Sequence, residues 1–294
     1  SPPSRQPIER HAEQLHRIPV VECGHPLGEH RRRCRADRLG TLLRRLRRHA
    51  EEIEVDAADQ VWSLFGSACH NILQHGKDDH HVVEERLFTT FEGWRISGQI
   101  DLQEYQSDGS VIISDYKVTS AWAVQQEKTD WIDQLNMYAW LVERVKSVPV
   151  TGLKIVGIVR DWSRREAAAK DTYPQAPIVT IDIPVWSMQE REDFINRRIQ
   201  LHAEAHFESD TGGNLPPCTS EEMWEKPEVY AVKKEGGVRA KSLHKTEEEA
   251  KAALPAKGYT IEHRPGERTR CEKFCQVSPF CKQHQTYLQE KQSD

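Results

Sequence analysis

Hydrophobic positions along the chain keep two rhythms, and the changes between them mark its elements. From Ala57 to about Gln74, Val61, Leu64, Phe65, Ala68 and Ile72 recur at helical spacing, which predicts an amphipathic helix on which Gly66 and His70 lie four apart. Three strand-like runs follow, Val82 to Phe91, Trp94 to Tyr105 and Ser110 to Val118. A long amphipathic helix is expected from about Trp131 to Val145. Lys154 to Arg160 and Ile178 to Ile183 read as β-branched strands, and Met188 to Glu208 as a further helix. The order of helix, three strands, helix and strand implies an α/β fold with a mixed central β-sheet flanked by helices.

Two stretches outside this core behave differently. The first twenty or so residues are rich in Pro, Arg and His without apolar periodicity and read as an arm, and a helical pattern runs from Ala36 to about Ile53. After Gly212-Gly213 the composition changes. Val229 to Leu243 reads as a hairpin turning at Glu235-Gly236-Gly237, Thr246 to Leu254 as a helix and Tyr259 to His263 as a strand, a small ββαβ segment bracketed by Cys218 and Cys271. The expected division is therefore an N-terminal arm and basic helical segment over residues 1–56, a core over 57–210, and a C-terminal cysteine-bearing segment over 211–294.

Composition narrows the function classes. At 294 residues with 37% hydrophobic and 30% charged side chains, the chain can bury a full core without disulfides. No apolar run approaches the roughly 20 residues needed to cross a bilayer, so a cytoplasmic location is expected. The net charge of −5 hides a segregated distribution, because His30 to His49 is almost purely basic. Such a block can face phosphates, although a solvated helical face would read the same way.

The chemistry concentrates at Asp115-Tyr116-Lys117. Residues two apart on a strand share a face, so Asp115 and Lys117 project together. Ser107-Asp108-Gly109 suits a three-residue hairpin loop with Gly109 left-handed; Gln106 would then pair with Ser110 and Asp101 would lie opposite Asp115. A two-residue loop would put Asp101 on the other side. Two facing carboxylates repel unless one is protonated or a cation joins them, and a hard divalent ion such as Mg²⁺ or Mn²⁺ is the natural solution. Taken alone, Asp-x-Lys is short enough to be an ordinary surface ion pair.

Its company changes the reading. Gly66 to His70, Gly98-Gln99-Ile100-Asp101, Asp115-Tyr116-Lys117 and Gln134-Leu135-Asn136-Met137-Tyr138 occur in that order on the expected elements. Together they resemble the PD-(D/E)XK nuclease superfamily, in particular its RecB-like branch of phage and CRISPR-associated exonucleases. The resemblance implies a restriction-endonuclease-like core. It implies that His70, Asp101, Asp115 and the Tyr116 backbone carbonyl hold the metal, that Lys117 is the catalytic lysine, and that Gln134 and Tyr138 line the site and contact DNA. Either Glu84 or Glu85 would supply a further upstream acid.

Cys271, Cys275 and Cys281 fall within eleven residues, with His284 just beyond, a spacing that suits structural zinc or an iron-sulfur cluster. Cys218, which opens the segment they close, is the first choice for a fourth ligand. RecB-like nucleases often carry a [4Fe-4S] cluster on three such C-terminal cysteines with the fourth upstream, which makes Cys34 the alternative, and His284 could substitute in a zinc site. The resulting expectation is a Mg²⁺- or Mn²⁺-dependent DNA exonuclease of phage, recombination or repair, in a bacterial or phage-infected cell, with a helicase or recombinase as a conceivable partner. A structure-specific endonuclease and a catalytically idle DNA-binding or assembly module are the alternatives.

Overall fold

The computed structural model describes residues 20–23, 32–35, 49, 51–53, 61–76, 78–211, 213–255 and 257–293. The expected arm and most of the basic helix lie outside the described residues; residues 51–52, inside that expected helix, form a turn. The chain divides into two compact units, Ser1–Leu215 and Pro216–Asp294.

In the first unit, seven strands among the described residues form one mixed sheet in which β4 (Trp94–Tyr105) is the organising strand. One edge of β4 pairs antiparallel with β3 (His81–Phe91) along nearly its whole length. The other edge is shared: Trp94–Ser97 pairs with β1 (Val20–Cys23), itself joined to β2 (Arg32–Arg35), while Leu102–Tyr105 pairs with β5 (Val111–Thr119). The sequence pattern gave no sign of β1 and β2, because each is four residues long, VVEC and RRCR, too short to show an apolar alternation. β5 continues beyond β4 beside β6 (Val150–Val159) in parallel, and β7 (Ile178–Ile183) closes the sheet antiparallel. A parallel pair needs a long crossover, and α2 (Thr129–Lys146) supplies it.

The β4–β5 hairpin has the odd register. The Gln106 N–H donates to the Ser110 carbonyl (2.9 Å) and the Gly109 N–H to the Gln106 carbonyl (3.0 Å). Gly109 has φ of 84°, the left-handed conformation that glycine adopts without steric cost. The pairs Leu102 with Ser114 and Gln103 with Ile113 extend to Asp101 opposite Asp115.

Helix α2 is buried nearly all round, from Trp131 through Val142, with Leu135, Tyr138, Ala139 and Trp140 sealed from solvent. Asn136 at its centre donates to the Pro184 carbonyl (3.0 Å) and accepts from the Trp186 N–H (2.8 Å), pinning the link between β7 and α4 (Met188–Thr211). Glu143 pairs with the buried Arg191 of α4 (2.6 Å).

Helix α1 (Val61–Leu73) departs from expectation. Its apolar positions Val61, Leu64, Phe65 and Ile72 are exposed, and its single buried residue is His70. Contact with β5 is thus made by the side of the helix that carries the histidine, so the apolar face legible in the sequence is not the one the sheet covers. After β6, a short α3 (Arg164–Ala169) starts on a Ser163 side chain that accepts from the Glu166 N–H, a helix cap.

In the second unit, β9 (Val229–Lys234) is central between β10 (Ala240–His244) and β11 (Tyr259–Arg264), and α5 (Glu247–Ala252) packs against all three. Gly236 takes the left-handed conformation in the hairpin turn as its sequence predicts. The two-residue strands β8 (Glu225–Lys226) and β12 (Glu267–Arg268) pair beside this sheet, leading into α6 (Thr269–Lys273) and α7 (Lys282–Ser293).

Candidate active site

The site forms where β4 and β5 part company. Between the β1 and β5 ladders, residues 98–101 of β4 have no strand on that edge among the described residues, and Asp101 stands at the fork. Its Oδ2 accepts from the backbone N–H of Tyr116 (2.9 Å). Asp101 is 1% exposed, and its Oδ1 has no hydrogen-bond partner.

Acidic groups flank it on both sides. Val83 pairs with Leu102 and Glu85 with Ile100, which sets Glu84 opposite Asp101 across the β3–β4 ladder. Glu84 has φ of 51°, a left-handed conformation that costs a non-glycine residue about 1–3 kcal/mol and clusters at functional sites. Its carboxylate lies 3.0 Å from His70 Nδ1 and accepts from Gln99 Nε2 (2.6 Å); Gln99 Oε1 in turn accepts from Arg86 (3.4 Å). His70 Nδ1 is also 3.5 Å from Asp101 Oδ2. His70, Glu84 and Asp101 thus present one ligand atom each within 4.8 Å of one another. Glu85, the other sequence candidate for the upstream acid, turns away to Lys146 and accepts from Gln103 (2.8 Å).

On the other side of Asp101, Asp115 is equally buried and holds a different set of partners. Its Oδ1 accepts from Gln134 Nε2 (2.9 Å), and its Oδ2 is 2.6 Å from Lys117 Nζ, close enough for an ion pair without the angle of a hydrogen bond. Gln134 bridges the group: its Oε1 accepts from Lys117 Nζ (2.9 Å) and its Nε2 also donates to the Tyr138 hydroxyl (3.0 Å). Gln134 and Tyr138, one helical turn apart on α2, meet the strands because β4 carries Gly98 beneath them. A Cβ there would sit 2.9 Å from Tyr138 Cε1.

Electrostatics point to a cation. Burial, reinforced by the Asp115 and Glu84 carboxylates, raises the Asp101 carboxyl well above the ordinary range; Lys117 and the Tyr116 N–H oppose this without reversing it. Burial also holds the Tyr138 phenol well above its usual value, so it stays protonated. Three carboxylates stand close together, with Lys117 on Asp115 and His70 beside Glu84 and Asp101. An ionised carboxylate in such surroundings costs several kcal/mol unless a partner compensates it. The orphaned Oδ1 of Asp101 and the oxygen-rich donor set fit a hard divalent ion. The sequence left open which of Glu84 and Glu85 belongs here, and gave Gln99 and Arg86 no role, since neither a cross-strand contact nor a left-handed φ is visible in one strand's pattern.

In the second unit Cys271, Cys275 and Cys281 lie near the start of α7, although among the described residues the cysteines do not form a group with three ligand atoms within 4.8 Å of one another. Cys271 sits on α6, Cys275 just after it, and Cys281 immediately before α7; burial and the nearby Cys275 and Cys281 sulfurs push the Cys271 thiol up. Cys218 is drawn to the same place by Gln283, whose side-chain amide accepts from its N–H (2.8 Å) and donates to its carbonyl (2.9 Å). Cys69, Cys218, Cys271, Cys275 and Cys281 are not in disulfides. His284 is buried one residue further on, its Nδ1 without a hydrogen-bond partner and its pKa lowered by that burial. Cys34 lies on β2 of the first unit, opposite Val21; its side chain is outside the described residues.

A family model described as the PD-(D/E)XK nuclease superfamily matches residues 8–282. No curated protein matches the chain. Among solved structures, that of SSO0001 is similar at 17% identity with a TM-score of 0.40, the match covering 64% of this chain and 80% of the other. No helix among the described residues is long and apolar enough to cross a membrane.

Proposed function

The chain belongs to the PD-(D/E)XK nuclease superfamily, and from that premise we propose that it is a Mg²⁺- or Mn²⁺-dependent DNA nuclease that hydrolyses phosphodiester bonds from an end, in the manner of RecB-like exonucleases. The observation that carries the reading is the buried Asp101 carboxylate, one oxygen unpartnered, between Glu84 with His70 on one flank and Asp115 with Lys117 on the other. Asp101, Asp115, Glu84, His70 and the Tyr116 carbonyl are the residues that would hold the ion. When bound, a divalent ion supplies Lewis-acid polarisation of the phosphoryl group and orients the attacking water.

The chain's own residues do the rest. Lys117, held between Asp115 and Gln134, directs its ammonium to charge developing on the phosphoryl oxygens, a preorganised contact that needs no rearrangement during the reaction. Gln134 fixes Lys117 and Asp115 in mutual register through both ends of its amide. Tyr138 keeps its proton and gives Gln134 a fixed acceptor. His70 steadies Glu84 against Asp101.

The test is purified protein with labelled linear and closed-circular DNA, in Mg²⁺, Mn²⁺ or EDTA, beside Lys117→Ala. Metal-dependent loss of linear DNA, reduced about 100-fold or more by the substitution, supports the reading. Cutting of closed circles makes it an endonuclease, and no cleavage of any substrate makes it a binding or assembly module.

For the second unit we infer a [4Fe-4S] cluster on Cys218, Cys271, Cys275 and Cys281, which clamps the C-terminal segment, with zinc as the competing metal. Metal analysis decides between them: iron in about fourfold excess over protein supports the cluster, and stoichiometric zinc replaces it. Loss of the metal in Cys218→Ala but not in Cys34→Ala identifies the fourth ligand.

A further inference from the structure

Two exposed tryptophans stand at one rim of the sheet, each with a cation over its ring. Trp62, in the first turn of α1, is 55% exposed, and the Arg160 guanidinium sits 4.3 Å from its ring centroid. Trp122, on the loop between β5 and α2, is 65% exposed, with Lys128 Nζ at 4.6 Å. They belong to one place. Thr119 and Val159 are paired C-terminal residues of the parallel strands β5 and β6. The Arg160 N–H donates to the Thr119 carbonyl (2.9 Å), and the Ala121 N–H donates to Asp161 (2.7 Å). Open sheets bind ligands outside the carboxyl ends of parallel strands, and Lys117 lies two residues before Thr119.

Helix α1 links this rim to the carboxylates. Trp62, Gly66 and His70 are successive residues at four-residue spacing and so share one side of the helix, about 12 Å end to end at 1.5 Å per residue. Gly66 is in the helix interior, where glycine is destabilising relative to alanine. Among the described residues packing gives no reason for it, because a Cβ there would meet none of them within 4 Å. Among the described residues a bare strip of helix surface therefore runs from the exposed Trp62 indole to the buried His70. Its length suits about three to four stacked nucleotides at about 3.4 Å each.

The geometry points to Trp62 and Trp122 as stacking platforms for unpaired bases of a single-stranded DNA end, with Arg160 and Lys128 as their phosphate-facing cations and Gly66 as the passage to His70 and Asp101. This rests on the nuclease reading and gives it a substrate class. An exposed indole backed by a cation offers its free face to any base, which favours unpaired strands without selecting a sequence. In a duplex the bases are already stacked and cannot use it.

The test measures binding separately from cleavage. Affinities for a labelled single strand and for a blunt duplex of the same sequence are measured by fluorescence anisotropy in EDTA, with Trp62→Ala, Trp122→Ala, Trp62→Phe and Gly66→Leu beside the unsubstituted chain. Thermal melting checks folding, and both indoles are exposed enough that either alanine variant can carry the test. The expected result is single-strand binding weakened about tenfold or more by each alanine, recovered largely by Trp62→Phe, and impaired by Gly66→Leu, with duplex binding much less affected. Alanine variants with unchanged single-strand affinity, or with equal losses on both substrates, overturn the platforms. Cleavage in Mg²⁺ is read in parallel. Cleavage without a platform effect leaves the nuclease reading standing and removes this one; a platform effect without metal-dependent cleavage does the reverse.

Discussion

At the scale of the residue, Asp101 is held where its charge is least welcome. Burial and two neighbouring carboxylates raise its pKa, so between the ordinary carboxylate value and the raised one the folded protein binds more protons than the unfolded chain. The stability contributed by this group is therefore full at low pH and is lost as pH rises through the folded pKa. Relative to Asp101→Asn, metal-free protein is expected to lose melting temperature as pH rises above about 4, the ordinary range for the group. Asp101→Asn should flatten that slope, raise the metal-free melting temperature at neutral pH and abolish both activity and stabilisation by Mg²⁺. Calorimetric scans at several pH values with and without Mg²⁺ check this; an Asp101→Asn variant that still gains stability from Mg²⁺ would remove the residue from the ion site.

At the scale of the element, the site depends on how closely α2 lies on β4. Gly98 permits it, because any Cβ would press on the Tyr138 ring, itself sealed from solvent. Gly98→Ala is expected to cost about 1–3 kcal/mol by overpacking, and to lower activity further by displacing Tyr138 and Gln134. Urea denaturation measures the first and a nuclease assay the second. Unchanged stability would mean that the helix can retreat without loss. Gly66 is the contrast: among the described residues nothing lies within 4 Å of a Cβ there, so substitutions should act on ligand binding rather than on folding. The Ser107-Asp108-Gly109 loop works at the same scale, since its left-handed Gly109 fixes the odd register that puts Asp101 opposite Asp115.

At the scale of the whole molecule, the oxygen-rich group of His70, Glu84 and Asp101 lies in the first unit and the cysteines of the proposed cluster lie in the second. Hard and soft donors select different ions, so each can be emptied on its own. If the proposed cluster clamps Pro216–Asp294, Cys281→Ser is expected to open that segment to limited proteolysis, because α6 and α7 are short or polar and Val277 is the one residue of the turn before α7, besides Cys281, that is buried among the described residues. EDTA treatment that removes only the hard ion should stop cleavage and leave that protease resistance intact. Cleavage patterns read by mass spectrometry check this; an unchanged pattern for Cys281→Ser would leave the cysteines without a structural load.

The sequence by itself determined the order of helices and strands along the core, the shared face of Asp115 and Lys117 and that of Gln134 and Tyr138, because period-two and period-3.6 patterns act over a few residues of chain; the hairpin register it left to the loop. Tertiary structure alone decided that β4 splits its edge between β1 and β5, that Glu84 rather than Glu85 turns towards His70, and that α1 offers its histidine side to the sheet while its apolar face stays exposed. Those outcomes depend on which neighbours compete for one strand edge or one helix face. Such competition joins residues distant in sequence, and a single strand's pattern of apolar and polar positions carries no record of it.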